Sequence, residues 1–241
     1  MKRIILATCA MLIACLSFAQ MTRLSENIVE SPKFNGTSSW YYDDESDCSS
    51  ICQYLKYDLE GNANYSEGVV NVLFTINADG TLSNFTIKNS VSSATDNAVL
   101  KSIESTSGMW RPGMVNGTPA QMQREIFISF YDPAHGTLKE QGNANLQIAV
   151  KKYHAAVNLK NSLTLSEARA LKKANNKLKS AIKLLETAER FLPSEPSVVF
   201  WQAATYEQVG NEMLKTEKLN EFESLLDPAY QAQIELVDIS L

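Results

Sequence analysis

Gly68-Val-Val-Asn-Val-Leu-Phe-Thr-Ile76, then Asn77-Ala-Asp-Gly80, then Phe85-Thr-Ile87, is the stretch that decides the fold. Val70, Val72, Phe74 and Ile76 fall on one face at period two, the mark of a strand half buried against a core. Asp79-Gly80 between two apolar runs signals a hairpin, because glycine takes a positive φ without a Cβ clash. Ser93-Ala-Thr-Asp96 has the spacing of a capping box and opens a short helix with Val99 and Ile103 on one side. A Trp110-Arg-Pro-Gly113 corner follows. Arg124 to Phe130 then closes the sheet with Ile126, Ile128 and Phe130 inward, which leaves Gln123, Glu125 and Phe127 outward. The pattern predicts an α+β domain: a small antiparallel sheet with one helix packed on it.

Beyond Tyr131 the pattern changes. Pro133, Gly136 and Gly142 mark residues 136–142 as a linker. From Asn143 to Arg190 there is neither proline nor glycine. Leu171, Ala174, Leu178, Ala181, Ile182 and Leu185 recur at three and four, an amphipathic helix. Thr164-Leu-Ser-Glu167 reads as a capping box at its start, and Pro193 and Pro196 stop it. Further helices are predicted over 197–209, stopped by Gly210-Asn211, and over 212–226. The segment 143–241 is thus expected to be an all-α helical hairpin module. Its Ala181 to Tyr206 stretch, with Trp201 and Gly210-Asn211, is similar to a tetratricopeptide repeat, although arrays of such repeats need three or more units.

The order of motifs in the sheet region resembles the carboxy-terminal domain of TonB in its Bacteroidetes form. The matching pieces are Leu55-Lys-Tyr57, Gly68 to Gly80, Asn89-Ser90, Trp110-Arg-Pro-Gly113, Asn116-Gly-Thr-Pro119 and Ile126-Phe-Ile-Ser-Phe130. Val29-Glu-Ser-Pro-Lys-Phe-Asn-Gly36 looks like the lead-in of such domains. The resemblance implies a protein-interaction domain that binds a partner peptide by adding it to a sheet edge. The strand it points to is Arg124 to Phe130, with Gln123, Arg124, Glu125 and Phe127 as partner-binding residues. The implied partner is a protein or peptide, with an outer-membrane receptor segment as one form. Self-association into a homodimer or envelope scaffold is the alternative. TonB energisers keep an amino-terminal membrane helix and often a long spacer. Here neither pattern is present, so an envelope adaptor or transport-accessory role is expected before energy transduction.

The amino terminus sets the compartment. Met1-Lys-Arg3, the apolar run from Ile4 to Ala14, and Ser17-Phe-Ala19 before Gln20 read as a secretory signal over residues 1–19, too short for a comfortable span. Periplasmic delivery follows. Leu12-Ile-Ala-Cys15 also fits a lipobox, so lipidation of Cys15 and membrane anchoring is the competing expectation. Residues 20–54 form a lead-in with a short helix, and the TonB-like domain is set at 55–132. In the lead-in, Cys48 and Cys52 suit a local disulfide in an oxidising compartment; free thiols are the other outcome. Trp40-Tyr-Tyr42 beside Asp43-Asp-Glu45 reads as a packed loop or an aromatic recognition patch.

The chain carries a formal net charge of −5, with no clustered basic face for nucleic acid. Its two histidines, His135 and His154, are unaccompanied by clustered acids, so no metal site is expected. There is no nucleophile elbow or phosphate loop. The sequence predicts no enzyme activity, no cofactor and no small-molecule substrate.

Overall fold

The computed structural model describes residues 28–36, 50–60, 64–161, 166–231 and 235–241. Its centre is a four-stranded sheet. The strands are β3 (Gly68–Ile76), β4 (Leu82–Asn89), β8 (Met122–Tyr131) and β9 (Glu235–Ser240), in the order β4-β3-β8-β9. The β3–β4 hairpin turns where expected: Gly80 adopts φ +83 and its N–H donates to the Asn77 carbonyl at 2.9 Å. A Cβ at Gly80 would lie 2.2 Å from the Trp110 carbonyl oxygen, so this glycine serves both the turn and a close backbone approach. β8 pairs antiparallel with β3 from Gly68↔Phe130 to Ile76↔Met122.

The first face of the sheet carries the predicted core. Val70, Val72, Phe74, Ile76, Ile126, Ile128 and Phe130 are fully buried there, beside Val99 and Ile103 of helix α2 (Ser93–Glu104). Ile51, Leu55 and Leu59 of helix α1 (Ser50–Leu59) join them. The helix predicted from the Ser93 capping box is present, but its N-cap is Ser92, whose hydroxyl accepts from the Thr95 N–H. Asp96 is drawn instead to the preceding loop, accepting from Ser90 Oγ at 2.5 Å and Val91 N–H at 3.0 Å.

The lead-in and the corner are built together. β1 (Val29–Glu30) pairs with β6 (Gly113–Val115), which pairs with β7 (Thr118–Ala120); β2 (Lys33–Phe34) pairs with β5 (Trp110–Arg111). Trp110 lies under the sheet, edge-on to Phe34 at 5.2 Å and to Phe74 at 5.9 Å. Its indole N–H donates to Thr106 Oγ1 at 3.0 Å, which satisfies the one polar atom of a buried ring.

The expected linker over 136–142 is largely helix. A 3-10 turn (Pro133–His135) leads into α3 (Leu138–Lys160), which starts on a full capping box of Thr137 and Glu140. Gly142 lies inside that helix and is not a breaker. A Cβ there would come within 2.5 Å of the Leu192 side chain, so the missing methyl lets the segment after α4 pack on α3. α4 (Glu167–Phe191) runs beside α3 along a seam of small residues: Ala149 and Ala156 face Ala174, Leu178, Ala181 and Leu185. Small side chains let two helices approach closely. Leu171, expected in the stripe, is exposed, and Ala170 takes the buried position. The helix is capped at Ser166, not at Thr164, which lies outside the described residues. α5 (Pro196–Val209) ends at Gly210 with φ +76, and α6 (Glu212–Leu225) follows with Asn211 as its cap. Trp201 fills the space by Leu184, Leu185 and Tyr153. A short helix, α7 (Pro228–Gln231), leads on to β9.

The helical module forms after the sheet domain as expected, with two features beyond the expectation. The segment 143–241 is not all helix, because β9 leaves the helical module and joins the sheet. Nor is the sheet half exposed. On its second face Val69, Asn71, Thr75, Phe127 and Ser129 are buried, with Phe127 only 2% exposed. The helical module covers that face. The end of α4 lies on the start of β3, where a Cβ on Gly68 would sit 3.0 Å from Arg190 Cγ. Asn89 Nδ2 donates to the Val69 carbonyl at 2.5 Å and to the Arg190 carbonyl at 3.3 Å.

Candidate partner-binding edge

The outer edge of β8 divides into two parts. From Ile126 to Tyr131 it is paired, in parallel, with β9 from Glu235 to Ser240. The edge strand expected at Arg124–Phe130 is therefore an interior strand over most of its length. From Met122 to Glu125 no described strand pairs with that side.

The four residues expected to bind a partner occupy different environments. Gln123 is exposed. Arg124 points to the first face, its guanidinium carbon 5.6 Å from the centre of the Trp110 ring, a cation–π arrangement. Glu125 is on the second face and half buried. It accepts from Asn71 Nδ2 at 2.6 Å and from the Tyr230 hydroxyl at 3.2 Å, which ties α7 to the sheet. Burial and then the Glu125 charge push the Tyr230 phenol well above its ordinary value, so it remains a donor across the accessible pH range. Phe127 is buried, where an outward position was expected. It lies on the face that the helical module reaches through Arg190 and Tyr230, which local alternation does not register.

β9 supplies what the sequence reading missed. Val237 and Ile239, each 1% exposed, insert into the first-face core. Leu236 on the other side is 51% exposed. The Ser129 hydroxyl donates to Asp238 Oδ1 between the paired strands. The Leu241 N–H donates to the Tyr131 carbonyl at 3.0 Å and extends the ladder by one step. The signal was present in Val237-Asp-Ile239: two β-branched residues around an acid, period two at short range.

A polar junction joins β3, β8 and the helical module. Glu67 accepts from the Asp132 N–H at 3.0 Å and from Gln141 Nε2 at 3.4 Å, and lies 2.8 Å from His135 Nδ1. Burial raises the Glu67 pKa, but these partners outweigh it and hold the carboxyl below its ordinary value. The hydrogen bond to Glu67 and its charge raise His135 above the usual imidazole value.

Cys52 is buried on α1. Cys48, Cys15 and the Trp40–Glu45 patch lie outside the described residues. Among the described residues, no group of His, Cys, Asp and Glu side chains could hold a metal ion, and no helix is long and apolar enough to cross a membrane.

No curated protein and no solved structure matches the chain. A family model does match: Gram-negative bacterial TonB protein C-terminal, over residues 54–131. The match begins within α1, spans the β3–β4 hairpin, α2 and the tryptophan corner, and ends at the last residue of β8. It leaves β9 and the helical module outside. That family is a non-enzymatic, periplasmic interaction and energy-transduction domain. Residues 54–131 of this protein thus carry the pattern of a TonB carboxy-terminal domain.

Proposed function

We propose that the protein is an envelope adaptor or transport-accessory protein that binds a partner peptide by strand addition to β8. The observation that carries this is the β8 edge itself. From Ile126 to Tyr131 it accepts a parallel strand outside the matched domain. Backbone groups supply affinity in such pairing, and side-chain seats beside the strand supply selectivity. The exposed Gln123 and the half-buried Glu125 lie at the start of this edge, where they would meet an entering chain.

Capture from outer-membrane extract, with a photo-crosslinking residue in place of Gln123, tests the role. Crosslinks from position 123 to a discrete envelope protein support it. Capture of a partner with no crosslink at 123 moves the binding surface off this edge. Delivery to the periplasm by cleavage before Gln20 belongs to the same proposal. Intact mass of the mature protein checks it, and a diacylglyceryl adduct on Cys15 would replace it with membrane anchoring.

A further inference from the structure

Residues 54–131 already hold a self-consistent sheet and core. β4, β3 and β8 pair antiparallel, and Phe74, Ile103, Trp110, Ile128 and Phe130 close the first face. β9 is an addition to this unit. Its ladder with β8 is the one parallel pairing among the described strands, no described strand lies beyond it, and it pairs over Glu235–Ser240 alone, against the full length of β3 for the β3–β8 ladder. What it occupies is nonetheless a shaped site. A row of β8 backbone groups forms one wall. Two buried apolar seats take Val237 and Ile239, within the cluster that includes α1. The Ser129 hydroxyl reads the carboxylate between them.

We propose that β9 is an intramolecular stand-in for the partner. It fills the β8 site until a strand of the same chemistry displaces it: parallel, with branched apolar residues at alternate positions and an acid between them. The inference rests on the strand-addition reading above and adds to it a closed state and a recognition pattern. β9 is held by its parallel ladder, two apolar side chains and one side-chain hydrogen bond, and the β3–β4 and β3–β8 registers do not run through it.

The probe is a fluorescein-labelled peptide with the sequence of residues 235–241, followed by fluorescence anisotropy. The full chain is compared in two altered forms. In Val237→Ser/Ile239→Ser the resident strand is weakened. In Ser129→Cys/Asp238→Cys, made in a Cys48→Ala/Cys52→Ala background, oxidation fastens β9 to β8 and reduction frees it. The weakened chain should bind the peptide at least ten-fold more tightly than the wild type. The oxidised chain should bind none, and reduction should restore binding on the same molecules. A peptide with serine in both apolar positions should lose binding to every form. Equal affinity in the wild type, weakened and oxidised forms would overturn the proposal. If the weakened chain does not fold, the oxidised and reduced pair decides alone. Capture from outer-membrane extract by the same forms separates the two ideas. Peptide exchange with no crosslink at Gln123 overturns the adaptor reading and leaves β9 exchangeable. A Gln123 crosslink equally strong in oxidised and reduced chains overturns the exchange and keeps the adaptor reading.

Discussion

Phe127→Ala measures whether the helical module truly covers the second face of the sheet. Phe127 is 2% exposed, between Asn71 across the β3–β8 register and Leu236 across the β8–β9 register. Truncating a buried phenylalanine costs about 3–5 kcal/mol, the transfer term plus the cavity left behind. On a solvated face the same change stays within about 0.5 kcal/mol. For a chain of this size each kcal/mol lowers the melting temperature by roughly 2–4 °C, so the expected drop is roughly 6–20 °C. Phe74→Ala, on the first face, is the comparison, since Phe74 is fully buried and packs on Phe85 and Trp110. The two losses should be of similar size. Thermal melts followed by circular dichroism at 222 nm and by tryptophan emission give both. The helical signal should fall together with the sheet in Phe127→Ala, because Tyr230 of the helical module is tied to Glu125 on the same face. A loss under about 0.5 kcal/mol would refute the covered face, by the surface expectation.

Gly80→Ala should cost roughly 2–5 kcal/mol, since a left-handed backbone conformation adds to a Cβ driven against the Trp110 carbonyl. Gly108→Ala, with φ +84 but open space around it, should cost only about 1–2 kcal/mol; equal losses in urea melts would contradict the close approach. The Glu67–His135 pair should make stability depend on pH. The raised His135 value gives a contribution present below 6.5 and lost as pH rises through the folded value. The lowered Glu67 value gives one present above 4.5 and lost as pH falls through the folded value. The difference between wild type and His135→Ala should therefore be greatest between pH 4.5 and 6.5; a difference that widens toward pH 9 would show that the pair acts otherwise. In Trp40→Phe/Trp201→Phe, the remaining Trp110 emission should be blue-shifted and poorly quenched by iodide, and free quenching would place the ring at the surface.

The sheet was legible because its information is local. Val70 to Ile76 and Ile126 to Phe130 alternate strictly, and Asp79-Gly80 fixes the turn between β3 and β4. Helix ends were read to within a few residues. Ser92 in place of Ser93 reflects competition between neighbouring hydroxyls for the same orphan N–H groups. Gly142 misled for a different reason: a glycine that permits close packing looks the same in sequence as one that ends a helix. The second face and the pairing of β9 were not legible, because both depend on residues from the far end of the chain. Nothing in Gln123 to Phe127 tells that Tyr230 reaches Glu125 or that Val237 and Ile239 lie beside Ile128. The motifs that did identify the domain, from Leu55-Lys-Tyr57 to Ile126-Phe-Ile-Ser-Phe130, fall inside residues 54–131, and the family match confirms that part.

The parallel pair of β8 and β9 has a consequence for how the protein comes to be. Ser129 and Asp238, which touch across it, are 109 positions apart. Joining such distant segments carries a large loop-closure entropy and belongs to the slow phase of folding. A chain delivered amino terminus first displays its β3–β4 hairpin and β8 while the residues of β9 are still to emerge. Through that interval the β8 edge is bare, with its backbone donors and acceptors open to any extended segment nearby. The helices between must form and turn back before the last strand arrives. Assembly order therefore gives every newly made molecule a period in which its sheet is incomplete and adhesive, open to chaperones and to other chains.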